Sequence, residues 1–431
     1  MSLSGILGRV YSSCMNQLLG RFRPEGSGLE HHWVDLSEFS QGESYLWFHG
    51  ASAGELESLF PVVSRALQSG ASCVVTVFSP SGRSSLLRFA DRHSGTGGES
   101  QVKLRVGFCP NEGSWERVLQ NARPRAFITT KYEAWPELWG ALSKLEVPGF
   151  LICAQARVSL RVLSWFFRGL GWSSSCMRFA SSLLDEQQVL QSWFPQATWV
   201  TIGDPRWDRV CERATRSHPR VSWIRKWLDS KQESSEHAFQ RGAGVGVLGS
   251  IWAQDIQVIS KGLSSFLTRG GRLVVVPHDI SCSSLAEVES VLLGAGIPYS
   301  RSSQFSSEFL PSALDRVLLV DEMGFLLELY SLADWAFVGG GFGAGIHSTI
   351  EPAYFNIPVA CGPRRIESFS ETKRLRATQQ LTLVANSSEF SSWLESDRQE
   401  LLRTRLDQWQ NSNAFERGAA DQAWRWIRSA F

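Results

Sequence analysis

The chain has 431 residues, which is too long for one ordinary hydrophobic core and predicts two domains of roughly 200 residues each. Hydrophobic residues make up 43% of the sequence and charged residues 20%, as in soluble globular proteins, so a disordered chain is excluded. The formal net charge of +1 gives no argument for a nucleic-acid partner, because such binders are usually clearly basic. The eight cysteines are scattered, with no CxxC pair and no histidine at zinc-binding spacing, so no metal site is predicted.

Residues 1–23 carry an apolar stripe at helical spacing, and their charges are Arg9, Arg21 and Arg23. Polar residues interrupt the stripe, so the segment is too broken to span a membrane. We expect an amphipathic helix that lies on a membrane surface and faces anionic lipid. The alternative is a helix packed on its own domain.

Short apolar runs alternate with helical patterns from residue 45 onward. The predicted strands are Tyr45–His49, Cys73–Phe78, Leu104–Phe108, Ala126–Thr129, Gly149–Cys153 and Trp199–Ile202. The predicted helices between them include Leu56–Ser69, Ser84–Arg92, Pro136–Leu145 and Leu183–Trp193. This alternation predicts an N-terminal domain, residues 24–214, built on a parallel sheet with helices on both faces.

A polar stretch, residues 215–244, predicts an exposed helix followed by an interdomain linker. The alternation then restarts with the predicted strands Gly246–Leu248, Leu273–Val276, Val317–Val320, Trp335–Val338 and Val359–Ala360. We therefore assign residues 245–431 to a C-terminal domain with terminal helices, the last of which is expected to return to the first domain. Two such domains in tandem predict a cleft at the carboxyl ends of two sheets, where ligands of α/β folds bind.

In the first domain, a strand ends in a small-residue loop that contains Ser52 and Gly54, and Glu55 follows in the first turn of a helix. The helix dipole favours a carboxylate at this position, so Glu55 is a candidate general base, with an ordinary capping glutamate as the alternative. A second small-residue loop, with Ser81 and Gly82, follows the next strand and is expected to lie beside the first.

Charged residues follow two further strands of this domain. Lys131 and Glu133 come directly after a buried strand, where charges are costly unless they face a cleft. Arg206 lies in the segment Gly203–Asp208 and is a candidate for contact with an anionic substrate, with a surface turn as the alternative.

In the second domain the candidate residues also follow strands. They are Ser250, Pro277 with His278, and Met323, Gly324 and Phe325, which open a helix. The last candidate segment is the glycine loop Gly339–Gly345, which contains Gly341. It continues to Pro352 through His347, Ser348, Thr349, Ile350 and Glu351. A strand, a glycine loop and a helix start are the usual way in which an α/β sheet presents backbone N–H groups to a phosphate. His347 and Glu351 are four residues apart, so we expect them on one face of a helical turn.

Taken in order, these motifs resemble one family, the 3-deoxy-D-manno-octulosonic acid (Kdo) transferases of Gram-negative bacteria. The resemblance runs from about Trp47 to Glu371. It rests on nine ordered segments: His49–Glu55, Ser79–Gly82, Tyr132–Pro136, Ala154–Ser159, Gly203–Asp208, Gly249–Ser250, Pro277–His278, Asp321–Gly324 and Gly339–Pro352. The resemblance implies an α/β fold of GT-B type, with two Rossmann-like parallel-sheet domains facing a central cleft. It also implies an inverting transferase that moves Kdo from CMP-Kdo to a lipid A precursor at the cytoplasmic face of the inner membrane, without a cofactor or metal.

The resemblance also implies roles for individual residues. Glu55 matches the catalytic base, and Arg206 falls where the family usually has a lysine that stabilises the transition state, with Lys131 and Glu133 as further catalytic candidates. The implied nucleotide-sugar ligands are Ser250, Pro277, His278, Met323, Gly324, Phe325, Gly341, His347, Ser348, Thr349, Ile350 and Glu351. The implied acceptor-side loop consists of Ser52, Gly54, Ser81 and Gly82.

The chain departs from the family pattern at four positions. Lys131 replaces the first glutamate of the usual Glu-x-Glu-x-Trp-Pro, Asp204 and Ser348 each replace an asparagine, and His278 stands where an arginine is usual. Three other functions therefore stay open: a GT-B transferase for another nucleotide sugar, a catalytically silent protein of the lipid surface, and a NAD-dependent oxidoreductase that uses residues 339–344.

Overall fold

The computed structural model describes residues 44–93, 104–108, 115–131, 133–216, 218–229, 244–306, 308–312, 315–343, 345–396 and 398–431. The predicted helix within residues 1–23 lies outside these ranges. The chain divides into two compact units: the first runs up to Arg209 and takes in Glu416–Phe431, and the second is Val210–Phe415. Across the described residues, no helix combines the length and the apolar character needed to cross a lipid bilayer.

The first unit is built on a parallel sheet of seven strands in the order β3-β2-β1-β4-β5-β6-β7. The strands are β1 (Tyr45–Gly50), β2 (Ser72–Val77), β3 (Leu104–Phe108), β4 (Ala126–Thr130), β5 (Gly149–Ile152), β6 (Met177–Ser181) and β7 (Thr198–Thr201). The helices are α1 (Ala53–Gln68), α2 (Pro80–His93), α3 (Trp115–Ala122), α4 (Pro136–Lys144), α5 (Val158–Leu170), α6 (Leu184–Trp193) and, at the boundary between the units, α7 (Arg206–Ala214). Six of these strands were predicted; β6 was missed.

Side chains that alternate along the central strand bury both faces of this sheet. In β1, Tyr45 and Trp47 enter one hydrophobic cluster, whereas Leu46 and Phe48 enter the cluster on the other face. Because successive side chains of a strand point to opposite faces, a strand buried on both sides must be apolar throughout, as this one is. The carboxyl end of this buried strand therefore leads from the core of the sheet to the candidate residues.

The second unit contains another seven-stranded parallel sheet, in the order β10-β11-β9-β8-β12-β13-β14. The strands are β8 (Val245–Ile251), β9 (Arg272–Pro277), β10 (Ser300–Arg301), β11 (Val317–Leu319), β12 (Trp335–Val338), β13 (Val359–Cys361) and β14 (Leu381–Leu383). The helices are α8 (Pro219–Asp229), α9 (Ala253–Thr268), α10 (Cys282–Gly294), α11 (Leu326–Tyr330), α12 (Ile350–Tyr354), α13 (Ser370–Ala377), α14 (Ser387–Glu395) and α15 (Arg398–Glu416). Two Rossmann-like parallel sheets of this kind confirm the predicted α/β class.

The last helix, α16 (Ala419–Arg428), packs in the first unit. Ala420, Trp424 and Ile427 of this helix enter the same hydrophobic cluster as β1 and α1, and Asp421 pairs with Arg65 of α1 at 2.7 Å. The chain therefore returns to the first unit at its end, as we expected from the sequence. The assignment of residues 245–431 to a single C-terminal domain is corrected accordingly for residues 416–431.

The predicted exposed helix before the linker is also corrected. Helix α8 buries Val221, Trp223, Ile224 and Trp227 in a hydrophobic cluster of the second unit, beside strands β8 and β9. The polar residues between these positions made the segment look exposed, although apolar residues recur at helical spacing and predict a packed face. Residues 230–243, the rest of the predicted linker, lie outside the described residues.

Candidate functional site

The carboxyl end of β1 positions Glu55 through the start of α1. Ser52 is the N-cap of this helix, and its backbone N–H donates a hydrogen bond to Glu55 Oε2 at 2.8 Å. The glutamate is the third residue of the helix and forms a capping box with Ser52. Glu55 is therefore a capping residue, as the alternative predicted, and the same contact fixes its carboxylate at the end of the strand.

The segment after β2 lies against this turn, as predicted. The backbone N–H of Ser79 donates to the carbonyl of Ala51 at 2.8 Å. A Cβ at Gly82 would collide with the side chain of Val77 and lie 3.3 Å from the backbone nitrogen of Ala53, so only glycine allows this approach. The prediction that Ser81 and Gly82 lie in a loop is wrong, because α2 already begins at Pro80, a residue that favours the first turn of a helix.

Lys131 reaches from the end of β4 to the start of α1. Its backbone has a φ of 66°, in the left-handed region that is strained for a residue other than glycine. The N–H of Lys131 donates to the carbonyl of Ile152 at 2.8 Å, and Nζ donates to the carbonyl of Gly54 at 3.2 Å. These contacts hold an ammonium group beside the residue that precedes Glu55.

Glu55 and Glu133 are two buried carboxyl groups that influence each other, with exposed fractions of 5% and 7%. Burial raises the pKa of Glu55, and the charge of Lys131 and the N–H of Ser52 partly offset this rise. Burial also raises the pKa of Glu133 well above its usual range; the negative charge of Glu55 adds to the rise and Lys131 opposes it. Glu133 therefore retains its proton most readily, which leaves Glu55 as the partner able to accept one.

Arg206 is held by Asp204 in a bidentate ion pair. Its Nε lies 2.9 Å and its Nη2 2.5 Å from Asp204 Oδ2, and Asp204 is only 3% exposed. Burial by itself would raise the pKa of Asp204, but the charge and hydrogen bonds of Arg206, together with Lys131, hold that pKa below its usual value. The guanidinium predicted to meet an anionic substrate is thus already partly neutralised by the chain itself.

The same segment anchors the returning C-terminal helix, a role that we did not predict. Asp208 accepts hydrogen bonds from the backbone N–H groups of Gly418 at 2.5 Å and Ala420 at 2.6 Å, at the start of α16. The backbone N–H of Asp204 donates to Glu416 Oε2 at 2.5 Å. These carboxylates satisfy N–H groups that a helix start leaves without partners.

In the second unit, the residues that follow β9, β8, β12 and β13 lie side by side, because these four strands are consecutive in the sheet. Ser250 has a φ of 50° and forms an irregularity between Gly249 and Ile251 in the pairing of β8 with β9. Pro277 ends β9, and the N–H of His278 donates to the carbonyl of Ile251 at 3.0 Å. This irregularity is a β-bulge, which bends the strand just before Trp252.

Trp252, His278 and His347 form an aromatic stack. The ring centroids of His278 and His347 are 4.0 Å apart at 15°, those of Trp252 and His278 are 4.8 Å apart at 25°, and Trp252 Nε1 lies 3.1 Å from His347 Nε2. Burial lowers the pKa of both histidines, that of His347 to about 4 with a further contribution from His278. The stack is therefore uncharged at neutral pH and offers planar faces to an aromatic ring.

The glycine loop is organised around Asp255, which is fully buried. The carboxylate accepts hydrogen bonds from the N–H groups of Gly340 at 2.8 Å, Trp252 at 3.0 Å and Phe342 at 3.3 Å. Burial raises the pKa of Asp255, and these three bonds oppose the rise. Asp255 thus accepts hydrogen bonds from loop N–H groups, those of Gly340 and Phe342, that we expected to bind a phosphate.

The N–H groups left for an anion therefore lie further along the chain. Gly343 and Gly345 both donate to the carbonyl of Gly340, at 3.0 and 2.9 Å. In contrast, the N–H groups of residues 348–350 have no acceptor among the described residues. The hydroxyl of Thr349 is also buried without a hydrogen-bond partner in the described part of the chain.

The expected placement of His347 and Glu351 on one helical face is wrong. Helix α12 begins only at Ile350, so His347 lies in the irregular segment before it and turns toward Trp252. Glu351 Oε1 instead lies 3.9 Å from Arg213. The residues before Ile350 belong to the hydrogen-bonded turns of the glycine loop and the segment after it, so they do not form an earlier turn of α12.

The segment Met323–Phe325 precedes α11, as predicted. Met323 is 65% exposed, Gly324 has a φ of 108° that favours glycine, and Phe325 is the buried N-cap residue. The ring of Phe325 stacks on His218 with centroids 4.7 Å apart. The buried ring of Phe325 therefore anchors this segment in the second unit, whereas the exposed side chain of Met323 is accessible to a ligand.

Comparisons with known proteins find similarity to the family that the motifs resemble. Residues 25–209 match the family model described as 3-deoxy-D-manno-octulosonic-acid transferase (kdotransferase). The chain is similar to 3-deoxy-D-manno-octulosonic acid transferases of Chlamydia muridarum (27% identical, covering 79% of this chain and 75% of the relative) and Aquifex aeolicus (25% identical, covering 74% and 76%).

Solved structures are similar in fold. A UDP-N-acetylglucosamine 2-epimerase from Listeria monocytogenes, described as putative, gives a TM-score of 0.55 at 12% identity and covers 90% of this chain and 96% of its own. MurG from Acinetobacter baumannii gives 0.53 at 10% identity and covers 90% and 99%. Likeness at such identities shows the fold alone, and the fold is of GT-B type.

Proposed function

We propose that this chain is a member of the Kdo transferase family of glycosyltransferases and moves Kdo from CMP-Kdo to a lipid A precursor of the lipid IVA type in lipopolysaccharide inner-core synthesis. The observation that carries the proposal is the buried carboxyl pair of Glu55 and Glu133 at the carboxyl ends of β1 and β4. A transferase that inverts its sugar needs one base on the acceptor side and stabilisation of the departing phosphate on the donor side.

Glu55 is proposed to remove the proton from the attacking hydroxyl of the acceptor. The contact with Ser52 fixes its carboxylate, and Lys131 opposes the rise of its pKa, so a larger fraction is ionised at neutral pH. Burial and the charge of Glu55 raise the pKa of Glu133 well above its usual range, so Glu133 is the weaker candidate for the base. Arg206 is proposed to support the transition state, with its charge moderated by the ion pair with Asp204.

The donor nucleotide is proposed to bind in the second unit. The stack of Trp252, His278 and His347 offers an uncharged aromatic surface to the cytosine base. The N–H groups of residues 348–350, which have no acceptor among the described residues, are proposed to bind the phosphate, the role that the resemblance implies for Ser348, Thr349 and Ile350. No metal or cofactor takes part in this scheme, because the leaving group is already a phosphate ester.

An exposed apolar surface on the first unit supports the proposal of a lipid acceptor. Helix α5 exposes Val158 (78%) and Trp165 (58%), and Arg161 lies over the Trp165 ring at 5.9 Å. The neighbouring helix α6, tied to α5 by a 2.9 Å hydrogen bond from Arg168 to Ser192, exposes Leu184 (59%). Tryptophan and aliphatic side chains next to arginines are typical of surfaces that lie on anionic membranes, so we propose a peripheral position on the cytoplasmic face of the inner membrane.

A transferase for another nucleotide sugar is the second candidate. It is favoured by His278, which is uncharged here and stands where Kdo transferases usually have an arginine. Titration calorimetry with CMP and UMP separates the two candidates. Preference for CMP supports the Kdo donor, and preference for UMP supports the second candidate.

Mass spectrometry of the transfer reaction tests the proposed function. The purified full chain is incubated with CMP-Kdo and a detergent-dispersed tetraacyl lipid A precursor, and the lipid is then weighed. A gain of one or more Kdo units is expected. A chain that binds CMP but adds no Kdo has another acceptor or is catalytically silent, and this result would contradict the proposed function.

A further inference from the structure

The loop that follows β13 packs directly on the glycine loop. The backbone N–H of Arg364 donates to the carbonyl of Gly341 at 3.0 Å. A Cβ at Gly341 would come within 2.5 Å of the backbone of Gly362, so the two loops touch through their main chains. Because β12 and β13 are neighbours in the sheet, the second loop is held in a fixed position relative to the first.

Arg365 occupies a special position in this second loop. Its φ of 60° and ψ of 17° lie in the left-handed region, and its side chain is exposed. An arginine has no local reason to adopt this conformation, since glycine and asparagine are the residues that do so at little cost. Non-glycine residues in such conformations concentrate at ligand sites, where the surrounding structure imposes them.

The side chain of Arg365 lies along the edge of the glycine loop. A Cβ at Gly345 would be 3.0 Å from Arg365 Cδ, so the aliphatic part of the arginine passes close to this glycine. The backbone N–H of Gly345 donates a hydrogen bond to the carbonyl of Gly340. A Cβ at Gly340 would lie 3.2 Å from the ring of His347. Arg365 and His347 therefore both lie close to this short loop, Arg365 at Gly345 and His347 at Gly340.

Without Arg365, the side chains described around this loop would offer little positive charge to an anionic ligand. His278 and His347 are uncharged at neutral pH because burial lowers the pKa of each. Asp255 adds a carboxylate behind the loop, and Arg213 lies near two carboxylates, at 3.8 Å from Glu328 and 3.9 Å from Glu351. Arg365 brings a permanent positive charge to the solvent-facing edge of the same loop.

We propose that Arg365 binds the phosphate of the donor nucleotide from the β13 side of the glycine loop. The inference rests on the proposed function, because it takes the glycine loop as the donor site. A guanidinium group that approaches from the β13 side forms charge-assisted hydrogen bonds to phosphate oxygens while the base rests on the aromatic stack. The left-handed backbone of Arg365 places its Cβ on the side of Gly345, 3.6 Å from the position that a Cβ at Gly345 would take.

Isothermal titration calorimetry on the full chain tests this proposal with three probes: CMP, cytidine and inorganic pyrophosphate. The variants are Arg365→Gly and Arg365→Asn, which both tolerate the left-handed backbone, and Arg365→Lys, which keeps the charge. Arg364→Ala is the matched control, because its backbone bond to Gly341 survives the substitution. Thermal melts of each variant establish that it is folded.

Loss of one charge-assisted phosphate contact is expected to weaken CMP binding about 10- to 100-fold in Arg365→Gly and Arg365→Asn. Cytidine binding should change less than about twofold, Arg365→Lys should fall between, and Arg364→Ala should resemble the unchanged chain. Equal losses in Arg364→Ala and Arg365→Gly would indicate a diffuse positive field and overturn the assignment. Unchanged CMP binding in both neutral Arg365 variants would overturn it as well.

Pyrophosphate separates this proposal from the proposed function. If the unchanged chain binds pyrophosphate through Arg365 but binds no CMP, the anion site stands and the CMP-dependent function fails. If it binds CMP with no contribution from Arg365, the function stands and the assignment of this residue fails. A chain that binds none of the three probes refutes both.

Discussion

Replacement of Asp255 by alanine should destabilise the second unit and open its glycine loop. The carboxylate accepts three backbone hydrogen bonds, from Gly340 at 2.8 Å, Trp252 at 3.0 Å and Phe342 at 3.3 Å, and the residue is fully buried. Hydrogen bonds to a charged group contribute about 1.5–3 kcal/mol each, and the longest of the three contributes least. The cost of burying the carboxylate offsets part of this contribution, so we expect the free energy of unfolding to fall by about 3–5 kcal/mol, with a smaller loss for Asp255→Asn, which keeps one acceptor oxygen.

Hydrogen exchange measured by mass spectrometry is the assay, since it reports peptides 245–251 and 335–349 separately from the first unit. Exchange of the loop amides should accelerate, and CMP affinity should fall, because the loop then lacks its central acceptor. Glu367→Ala is the control: its carboxylate pairs with Arg376 at 2.8 Å but is 69% exposed, so a change below about 0.5 kcal/mol is expected. A loss below about 1 kcal/mol in Asp255→Ala, with unchanged loop exchange, would refute this account of the loop.

Four further outcomes are expected. Lys131→Met removes a charge that lowers the pKa of Glu55, so the acidic limb of the kcat/KM–pH profile should move to higher pH. Asp208→Ala removes two hydrogen bonds to the start of α16, so calorimetry should show the first unit destabilised by about 2–4 kcal/mol. Trp165→Ser should reduce cosedimentation with anionic vesicles several-fold, while neutral vesicles show little binding in either form. Dialysis against EDTA should leave the transfer rate unchanged in a mass-spectrometric assay.

The strands were predictable because their side chains are apolar on both faces. β3 and β12 occur at the predicted residues, and several others differ by one residue at an end. The strands missed were β6, β10 and β14; the last two are only two and three residues long, and β6 carries Arg178 between its apolar residues. A short or charge-bearing run gives too weak a periodic signal, and tertiary pairing with the neighbouring strands decides its conformation.

The candidate residues of the first unit were predictable from position, because Glu55, Lys131 and Glu133 each lie within five residues after the end of a strand. What the sequence did not show is the restraint placed on them: the ion pair of Arg206 with Asp204 depends on local backbone geometry and burial. The role of Asp208 depends on residues 418 and 420, more than 200 positions away in the chain. Such long-range contacts leave no periodic pattern.

Trp252 and Asp255 were missed although a signal for them exists. In each unit the first strand is followed by a helix whose third residue is acidic and accepts a hydrogen bond from the backbone N–H of the N-cap residue: Glu55 from Ser52, and Asp255 from Trp252. The recurrence of an acidic residue three positions after the N-cap is a known helix-start pattern. Comparison of the two units at this point would have found Asp255, whereas the stacking of Trp252 on His278 requires coordinates.

The most direct test of the account compares Glu55→Gln with Glu57→Gln in single-turnover transfer from CMP-Kdo to the lipid A precursor. Both residues lie on α1, but Glu57 forms an ion pair with Arg209 and has no role in the proposed chemistry. The account predicts that Glu55→Gln binds CMP normally and transfers Kdo about 10²- to 10⁴-fold more slowly, whereas Glu57→Gln transfers at the unchanged rate. Transfer by Glu55→Gln at a near-normal rate would contradict the assignment of Glu55 as the catalytic base.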